Sequence, residues 1–122
     1  MQKTILLIED NDDIRENTAE LLGLEGFCII AADCGSSGLN LAEKHLPDLV
    51  ICDIVMPGMD GYEVFDALKK NDRTRRIPFI FTTAKSEQTD KQKAAFHGID
   101  SYLVKPFDEK ELMICIEKYL HQ

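Results

Sequence analysis

The sequence predicts an α/β protein, a single domain over residues 1–122 with an open five-stranded parallel sheet and five helices on both of its faces. Short apolar runs alternate strictly with longer segments whose apolar residues recur at helical spacing. The short runs are mostly free of charge, as is typical of parallel strands that are covered on both faces. Alternating strands and helices favour right-handed crossovers within one sheet.

Five short apolar runs are predicted to be the strands. Each is bounded by charged or turn-forming residues, so each can cross a sheet once and then leave it. Ligands of such a sheet bind beyond the carboxyl ends of its strands, so the residues that follow each run are the candidates for function. The runs are residues 4–8, 27–31, 49–52, 79–82 and 101–104.

Helices are predicted between these runs and after the last one. Apolar residues recur at intervals of three and four, so that one side of each helix can face the sheet. Gly26 and Pro47 are placed to end the first two helices, and Asp108 with Glu111 resembles a capping box at the start of the last. The face positions are Ile14, Thr18, Leu21 and Leu22; Leu39, Ala42 and Leu46; Val64, Phe65 and Leu68; Ala94, Ala95 and Phe96; and Leu112, Met113, Ile116 and Leu120.

Composition excludes several classes of function. The chain has 22 acidic and 14 basic residues and a formal charge of −8, which argues against a nucleic-acid surface. No apolar run approaches the roughly 18 residues of a membrane span. The N-terminus lacks the longer apolar region and cleavage site of a signal peptide, so we expect a cytoplasmic protein without membrane contact.

The cysteines and histidines do not predict a metal or redox centre. Cysteines stand at positions 28, 34, 52 and 115, and no pair has C-x-x-C spacing. Cys28, Cys52 and Cys115 lie in apolar runs and are interpreted as reduced core residues. The three histidines are isolated, so a zinc site is not expected.

Chemically active side chains follow four of the five strands. Glu9 and Asp10 open the acidic stretch "EDNDD", Asp53 follows the third strand, Thr83 and Lys85 follow the fourth, and Lys105 follows the fifth. Taken singly, each has an ordinary interpretation: an aspartate or threonine can cap a helix or begin a turn, and a lysine can be a solvated surface residue.

Taken together, these groups predict phosphoryl transfer. Two carboxylates about 4 Å apart repel by about 4 kcal/mol at an effective dielectric of 20, so Glu9, Asp10 and Asp53 need a cation or a proton. Carboxylate oxygens suit Mg²⁺, and Lys105 would balance the remaining charge. A metal, an ammonium group and a hydroxyl around one carboxylate are what transfer of a phosphoryl group onto it requires.

Four motifs in this order resemble the receiver domain of two-component response regulators, the family of the chemotaxis response regulator. They are "ED" at 9–10, "DIVMPGMDG" at 53–61, "TA" at 83–84 and "YLVKPF" at 102–107. The resemblance covers nearly the whole chain and implies a flavodoxin-like sheet with strand order 2-1-3-4-5. It also implies a phosphoacceptor regulator, not an enzyme, that catalyses its own phosphorylation and autodephosphorylation.

The resemblance implies a role for each matching residue. Asp53 would accept the phosphoryl group from a sensor histidine kinase or a histidine phosphotransfer protein. Asp10, Asp53 and the backbone carbonyl of Val55 would ligate Mg²⁺, with Glu9 acting through a metal-bound water. Lys105 would contact the carboxylate and then the phosphoryl oxygens, and its bond to Pro106 would be cis.

Further positions would tune and transmit the signal. Thr83 and Tyr102 would switch together, although Tyr102 could simply anchor the last strand. Val55 and Lys85 would tune the lifetime of the phosphoryl group. The surface of the predicted fourth helix, fifth strand and fifth helix, roughly residues 85–119, would bind an unknown output partner or form a homodimer on phosphorylation.

Alternative interpretations rest on single features. An FMN carrier of the same architecture would need a phosphate-binding loop where "EDNDD" stands. A phosphatase with an aspartyl nucleophile would need a second aspartate at Val55. A degenerate receiver would bind partners without phosphorylation. The stretch "RTRR" at 73–76 is interpreted as a solvated loop or a docking patch, and the chain as a stand-alone regulator or a piece of a longer protein.

Overall fold

Strands and helices alternate over the first 84 residues of this computed structural model, which describes residues 2–84 and 102–120. All five strands are parallel, and their order in the sheet is the predicted 2-1-3-4-5. In chain order the elements are β1 (Thr4–Ile8), α1 (Asp12–Leu24), β2 (Cys28–Ala32), α2 (Gly35–His45), β3 (Leu49–Asp53), α3 (Gly61–Lys70), β4 (Phe79–Thr83), β5 (Tyr102–Val104) and α4 (Glu109–Glu117).

The described residues contain four helices, where five were predicted. The segment around Ala94, Ala95 and Phe96, which was predicted to form the fourth helix, lies outside the described residues. The helix labelled α4 is therefore the one predicted as the fifth. No helix among the described residues is long and apolar enough to cross a membrane.

Local sequence signals set the helix ends. α1 begins after Asn11, whose Oδ1 accepts a hydrogen bond of 2.9 Å from the Ile14 N–H, and ends just before Gly26, which has a φ of 97°. A positive φ costs glycine little, so it stops the helix at that point. The capping box predicted at the start of α4 is confirmed: Asp108 accepts from the Glu111 N–H at 2.7 Å.

Two apolar clusters, one on each face of the sheet, form the core. One face packs against α2 and α3 through residues such as Ala42 and Phe65. The other packs against α1 and α4 through residues such as Leu22 and Ile116. β3 lies in the middle of the sheet, and all five of its residues are buried.

Two residues predicted to face the core, Leu46 and Cys28, are exposed. Leu46 comes just after the last residue of α2, with a φ of 48°, and is 43% exposed, because the helix ends one residue before it. All four cysteines are free thiols, and Cys52 and Cys115 are buried as predicted, but Cys28 is exposed. Cys28 begins β2, an edge strand that pairs only with β1, so an apolar run there is not covered on all sides. An apolar run alone does not distinguish an edge strand from a central one.

Candidate functional site

Three carboxylates meet at the carboxyl end of the sheet. Glu9 and Asp10 follow β1, and Asp53 is the last residue of β3, one residue later than the predicted strand end. One carboxylate oxygen from each of the three lies within 4.8 Å of the others. Glu9 and Asp53 are 3% and 5% exposed, whereas Asp10 is exposed. The structure thus brings together the three acidic residues that the sequence predicted.

The backbone just after Asp53 is held by two hydrogen bonds of Ile54. The Ile54 N–H donates to the Thr82 carbonyl at 2.9 Å, and the Gly61 N–H donates to the Ile54 carbonyl at 2.8 Å. A Cβ on Gly61 would lie 2.5 Å from the Asp53 carbonyl oxygen, so only glycine lets the start of α3 approach so closely. The loop from β3 to α3 therefore fixes the backbone of Asp53.

Hydrogen bonds hold both the backbone and the side chain of Glu9. Its N–H donates to the Ala32 carbonyl at 3.0 Å, and its Oε2 accepts from the Asn11 N–H at 3.1 Å. Arg15 donates from Nη1 to the Glu9 carbonyl at 2.9 Å and from Nη2 to Asp12 at 2.7 Å. Sequence reasoning missed Arg15, because a bond to a carbonyl leaves no pattern in the sequence.

Lys105 joins two of the carboxylates. Its Nζ lies 2.9 Å from Glu9 Oε1 and 3.4 Å from Asp53 Oδ1. The Lys105 N–H donates to the Thr83 carbonyl at 2.6 Å, and the Lys105–Pro106 peptide bond is cis. The ammonium group that was predicted to contact Asp53 thus lies closer to Glu9 and bridges the two carboxylates.

The negative charge of the Asp53 carboxylate is only partly neutralised by its surroundings. Burial and the charge of Glu9 raise the pKa of Asp53, Lys105 opposes them, and the result is about 7. Burial by itself would lower the pKa of Lys105, but the hydrogen bond to Glu9 and the charge of Asp53 raise it above its usual value. A proton or a further cation is needed to offset the repulsion between these carboxylates.

The remaining predicted site residues fall into two groups. Thr83 ends β4 and is 2% exposed, and Val55 is 71% exposed in the loop after β3. Tyr102 begins β5, but its side chain and the whole of Lys85 lie outside the described residues. The structure therefore places Thr83 and Val55 at the carboxyl edge and leaves the predicted pairing of Thr83 with Tyr102 untested.

Comparison with known proteins identifies the family. The family model described as "Response regulator receiver domain" matches residues 5–117. The chain belongs to the response regulator receiver domains. This conclusion agrees with the parallel sheet, its strand order and the acidic cluster at its carboxyl end.

Two curated relatives show the range of proteins that carry this receiver domain. The chain is 37% identical over 122 residues to the probable transcriptional regulator ycf29 of Porphyra purpurea, but spans only 58% of the length of that relative. It is 35% identical over 116 residues to the protein PilH of Pseudomonas aeruginosa. That match covers 95% of this chain and 96% of PilH.

A solved structure bears on the metal. The receiver domain of the sensor histidine kinase PA1611 from Pseudomonas aeruginosa matches with a TM-score of 0.89 and 28% identity, covering 98% of each chain. That protein has a magnesium ion coordinated in its active-site cleft. In this chain Glu9, Asp10 and Asp53 offer hard oxygen ligands near one another, a donor set that fits Mg²⁺.

Proposed function

We propose that this receiver domain accepts a phosphoryl group on Asp53 from a histidine kinase or a histidine phosphotransfer protein. The observation that carries the proposal is a buried carboxylate flanked by two other acids and contacted by Lys105 Nζ at 3.4 Å. A carboxylate in this environment is fixed in place and can act as a nucleophile. The rigid strand β3 presents it at the sheet's ligand-binding edge.

The transfer exchanges one bond to phosphorus for another. An oxygen of Asp53 forms the new O–P bond, while the P–N bond to the donor histidine breaks and the imidazole nitrogen keeps its electron pair. Lys105 lies close enough to Asp53 to neutralise charge on the incoming phosphoryl oxygens. Because phosphoryl transfer depends mainly on positioning and charge neutralisation, these residues need no covalent chemistry beyond that of Asp53.

Magnesium is the cofactor that we propose for this step. Asp10 and Asp53 would hold it, with the Val55 carbonyl as a third ligand and Glu9 acting through a water molecule. The ion would supply positive charge that offsets repulsion between the phosphoryl oxygens and the acidic cluster. Support comes from the pKa of Asp53, which burial and Glu9 raise to about 7 and which marks a site short of positive charge.

Phosphorylation would then control an output partner. Thr83 ends β4 beside the site, and we propose that its hydroxyl moves to the phosphoryl group while Tyr102 follows it. The movement of this pair would shift the conformational equilibrium of the surface formed by residues 85–119. Val55 and Lys85 would tune the lifetime of the phosphoryl group. The four free cysteines fit a reducing compartment, so we propose that the exchange takes place in the cytoplasm.

Intact-mass spectrometry tests the proposal. Incubated with Mg²⁺ and a small acyl phosphate, the wild-type protein should gain the mass of one phosphoryl group, and Asp53→Asn should gain none. Asp72→Asn is the matched control, because it removes an exposed carboxylate from the far end of the sheet and should label like wild type. Equal labelling of wild type and Asp53→Asn would contradict the assignment. Failure of the wild type to label would favour a degenerate receiver that acts without phosphorylation.

A further inference from the structure

A basic segment, Lys69 to Arg76, stands out in the sequence of this acidic domain. Five of the chain's 14 lysine and arginine residues lie within these eight positions, together with a single acidic residue, Asp72. Elsewhere acidic residues outnumber basic ones by more than two to one. The phosphoryl-transfer chemistry proposed above uses none of these cations, so the concentration of charge needs its own explanation.

The backbone of the basic segment is ordered by hydrogen bonds. Thr74 is 1% exposed, and its hydroxyl donates to the Leu68 carbonyl at 2.7 Å. The N–H groups of Thr74 and Arg75 donate to the Asn71 carbonyl at 3.0 and 2.9 Å, and the Arg73 N–H donates to Asn71 Oδ1 at 2.9 Å. These bonds fix the turn and direct its arginines outward, so binding there would cost little ordering of the chain.

Lys69 reinforces this arrangement. Its Nζ donates to the Arg75 carbonyl at 2.8 Å and lies 5.2 Å from the centre of the Phe65 ring. The Lys69 side chain therefore stabilises the turn through contacts within the domain. Four cations, Lys70, Arg73, Arg75 and Arg76, are left on the exposed side of the segment.

These four cations have little internal compensation. Within the described residues, the ion pair of this group is that of Arg75 with Asp72, at 3.5 Å, and its side chains are 52% and 92% exposed. Such an exposed pair contributes little to stability. The basic segment therefore offers a preformed, positively charged surface to a ligand from outside the domain.

The basic segment lies at the opposite end of the sheet's strands from Asp53. It leads into the start of β4, whereas Thr83, at the other end of that strand, borders the acidic cluster. Five residues of strand span about 13 Å between those ends. A ligand bound to the basic segment would therefore leave the phosphoacceptor edge open.

We propose that the basic segment docks an acidic protein segment, rich in Asp and Glu, of a partner. Arginine guanidinium groups bind carboxylates in a bidentate way, and three arginines within four positions match a short run of them. A nucleic acid fits less well, because its long array of phosphates would extend over a domain whose formal charge is −8. The described part of the segment also presents no exposed aromatic ring on which a base could stack.

Fluorescence anisotropy with a labelled poly-glutamate peptide tests the proposal. Wild type should bind it saturably, and Arg73→Gln/Arg76→Gln should weaken binding by about tenfold or more, since charge-assisted contacts are lost. The matched control, Lys3→Gln/Lys44→Gln, removes the same charge from positions outside the basic segment and outside residues 85–119, and should change the affinity by less than about twofold. Thermal unfolding of both variants verifies that they fold.

Three results would overturn the proposal. The first is wild-type protein that does not bind the peptide. The second is an equal loss of affinity in the control variant, which would indicate a response to net charge alone. The third is tighter binding of a labelled single-stranded oligonucleotide of the same charge, which would assign the segment to nucleic acid. None of these outcomes depends on phosphorylation of Asp53, so the test stands apart from that of the proposed function.

Discussion

The two ends of the sheet carry opposite charges and handle them in opposite ways. At the carboxyl end, Glu9 and Asp53 are buried beside each other, with Lys105 within 2.9 and 3.4 Å of them. At the amino end, the arginines of residues 73–76 are exposed and their charges are solvated. Burial makes like charges costly, whereas water screens them, so only the carboxyl end has strong electrostatic coupling. The proposed phosphoryl transfer therefore belongs at the end of the sheet where charge is buried.

The largest expected effect follows from removing the cation that the buried carboxylates share. Lys105→Met leaves Glu9 and Asp53 without their ammonium group, and without Mg²⁺ it should lower the free energy of unfolding by about 3 kcal/mol. Urea unfolding measures the change. Lys110→Met, at an exposed position of α4, is the control and should change it by about 0.5 kcal/mol or less. Equal effects of the two variants would show that the buried charges are not coupled.

The second effect concerns the backbone that holds Asp53. Gly61→Ala places a Cβ 2.5 Å from the Asp53 carbonyl and should destabilise the fold by roughly 1–3 kcal/mol and slow labelling of Asp53. Gly23→Ala is the matched control: nothing lies within 4 Å of its added Cβ, and it should stabilise α1 by roughly 0.5–1 kcal/mol. Thermal unfolding distinguishes the two signs, and a stable Gly61→Ala protein would refute the close approach.

The third effect is the pH dependence of the acidic cluster. The pKa of Asp53 is raised to about 7, so its unfolded form loses a proton at lower pH than its folded form. The wild type should therefore lose stability as the pH rises from about 4 to about 7, relative to Asp53→Asn. Above that range, Asp53→Asn should be more stable by roughly 1–3 kcal/mol. Urea unfolding of both proteins in metal-free buffer at several pH values measures the difference.

Saturating Mg²⁺ provides the control for this pH series. If Asp53 and Asp10 bind the ion, it should stabilise the wild type through preferential binding to the folded state and shrink the advantage of Asp53→Asn. A stability difference that does not change with pH would contradict the raised pKa of Asp53. A difference that Mg²⁺ leaves unchanged would contradict its role as a metal ligand.

The smallest effect is expected at the amino end of the sheet. Arg75→Gln breaks an exposed ion pair with Asp72 and should change the free energy of unfolding by no more than about 0.5 kcal/mol. The same urea measurement applies. A loss as large as that of Lys105→Met would mean that charges at the two ends of the sheet are equally strongly coupled.

Much of the fold could be predicted from the sequence because periodicity reports burial. Thr4–Ile8 matches its predicted strand, and the strand order implied by the resemblance is confirmed. Cys28 was misplaced because an apolar run at an edge resembles one at the centre. The positions of the charged residues also predicted one site. The carboxyl ends of parallel strands lie at the same end of the sheet, so residues at or just after those ends are expected to be close together. These residues are Glu9, Asp10, Asp53 and Lys105.

The finer details of the site could not be predicted, because they depend on side-chain geometry. Lys105 lies closer to Glu9 than to Asp53, and Arg15 binds the Glu9 carbonyl. Both contacts depend on side-chain rotamers, which the spacing of residues in the sequence does not reveal. The close approach of Gly61 to Asp53 likewise requires the coordinates, although a glycine at the start of a helix hints at a tight contact.

Peptide mapping of the phosphorylated protein tests the central claim most directly. After reaction with a small acyl phosphate, mass spectrometry should find the phosphoryl group on Asp53, in the presence of Mg²⁺ and not after addition of a chelator. A phosphoryl group on any other residue, or equal labelling of Asp53 with and without the metal, would contradict the account.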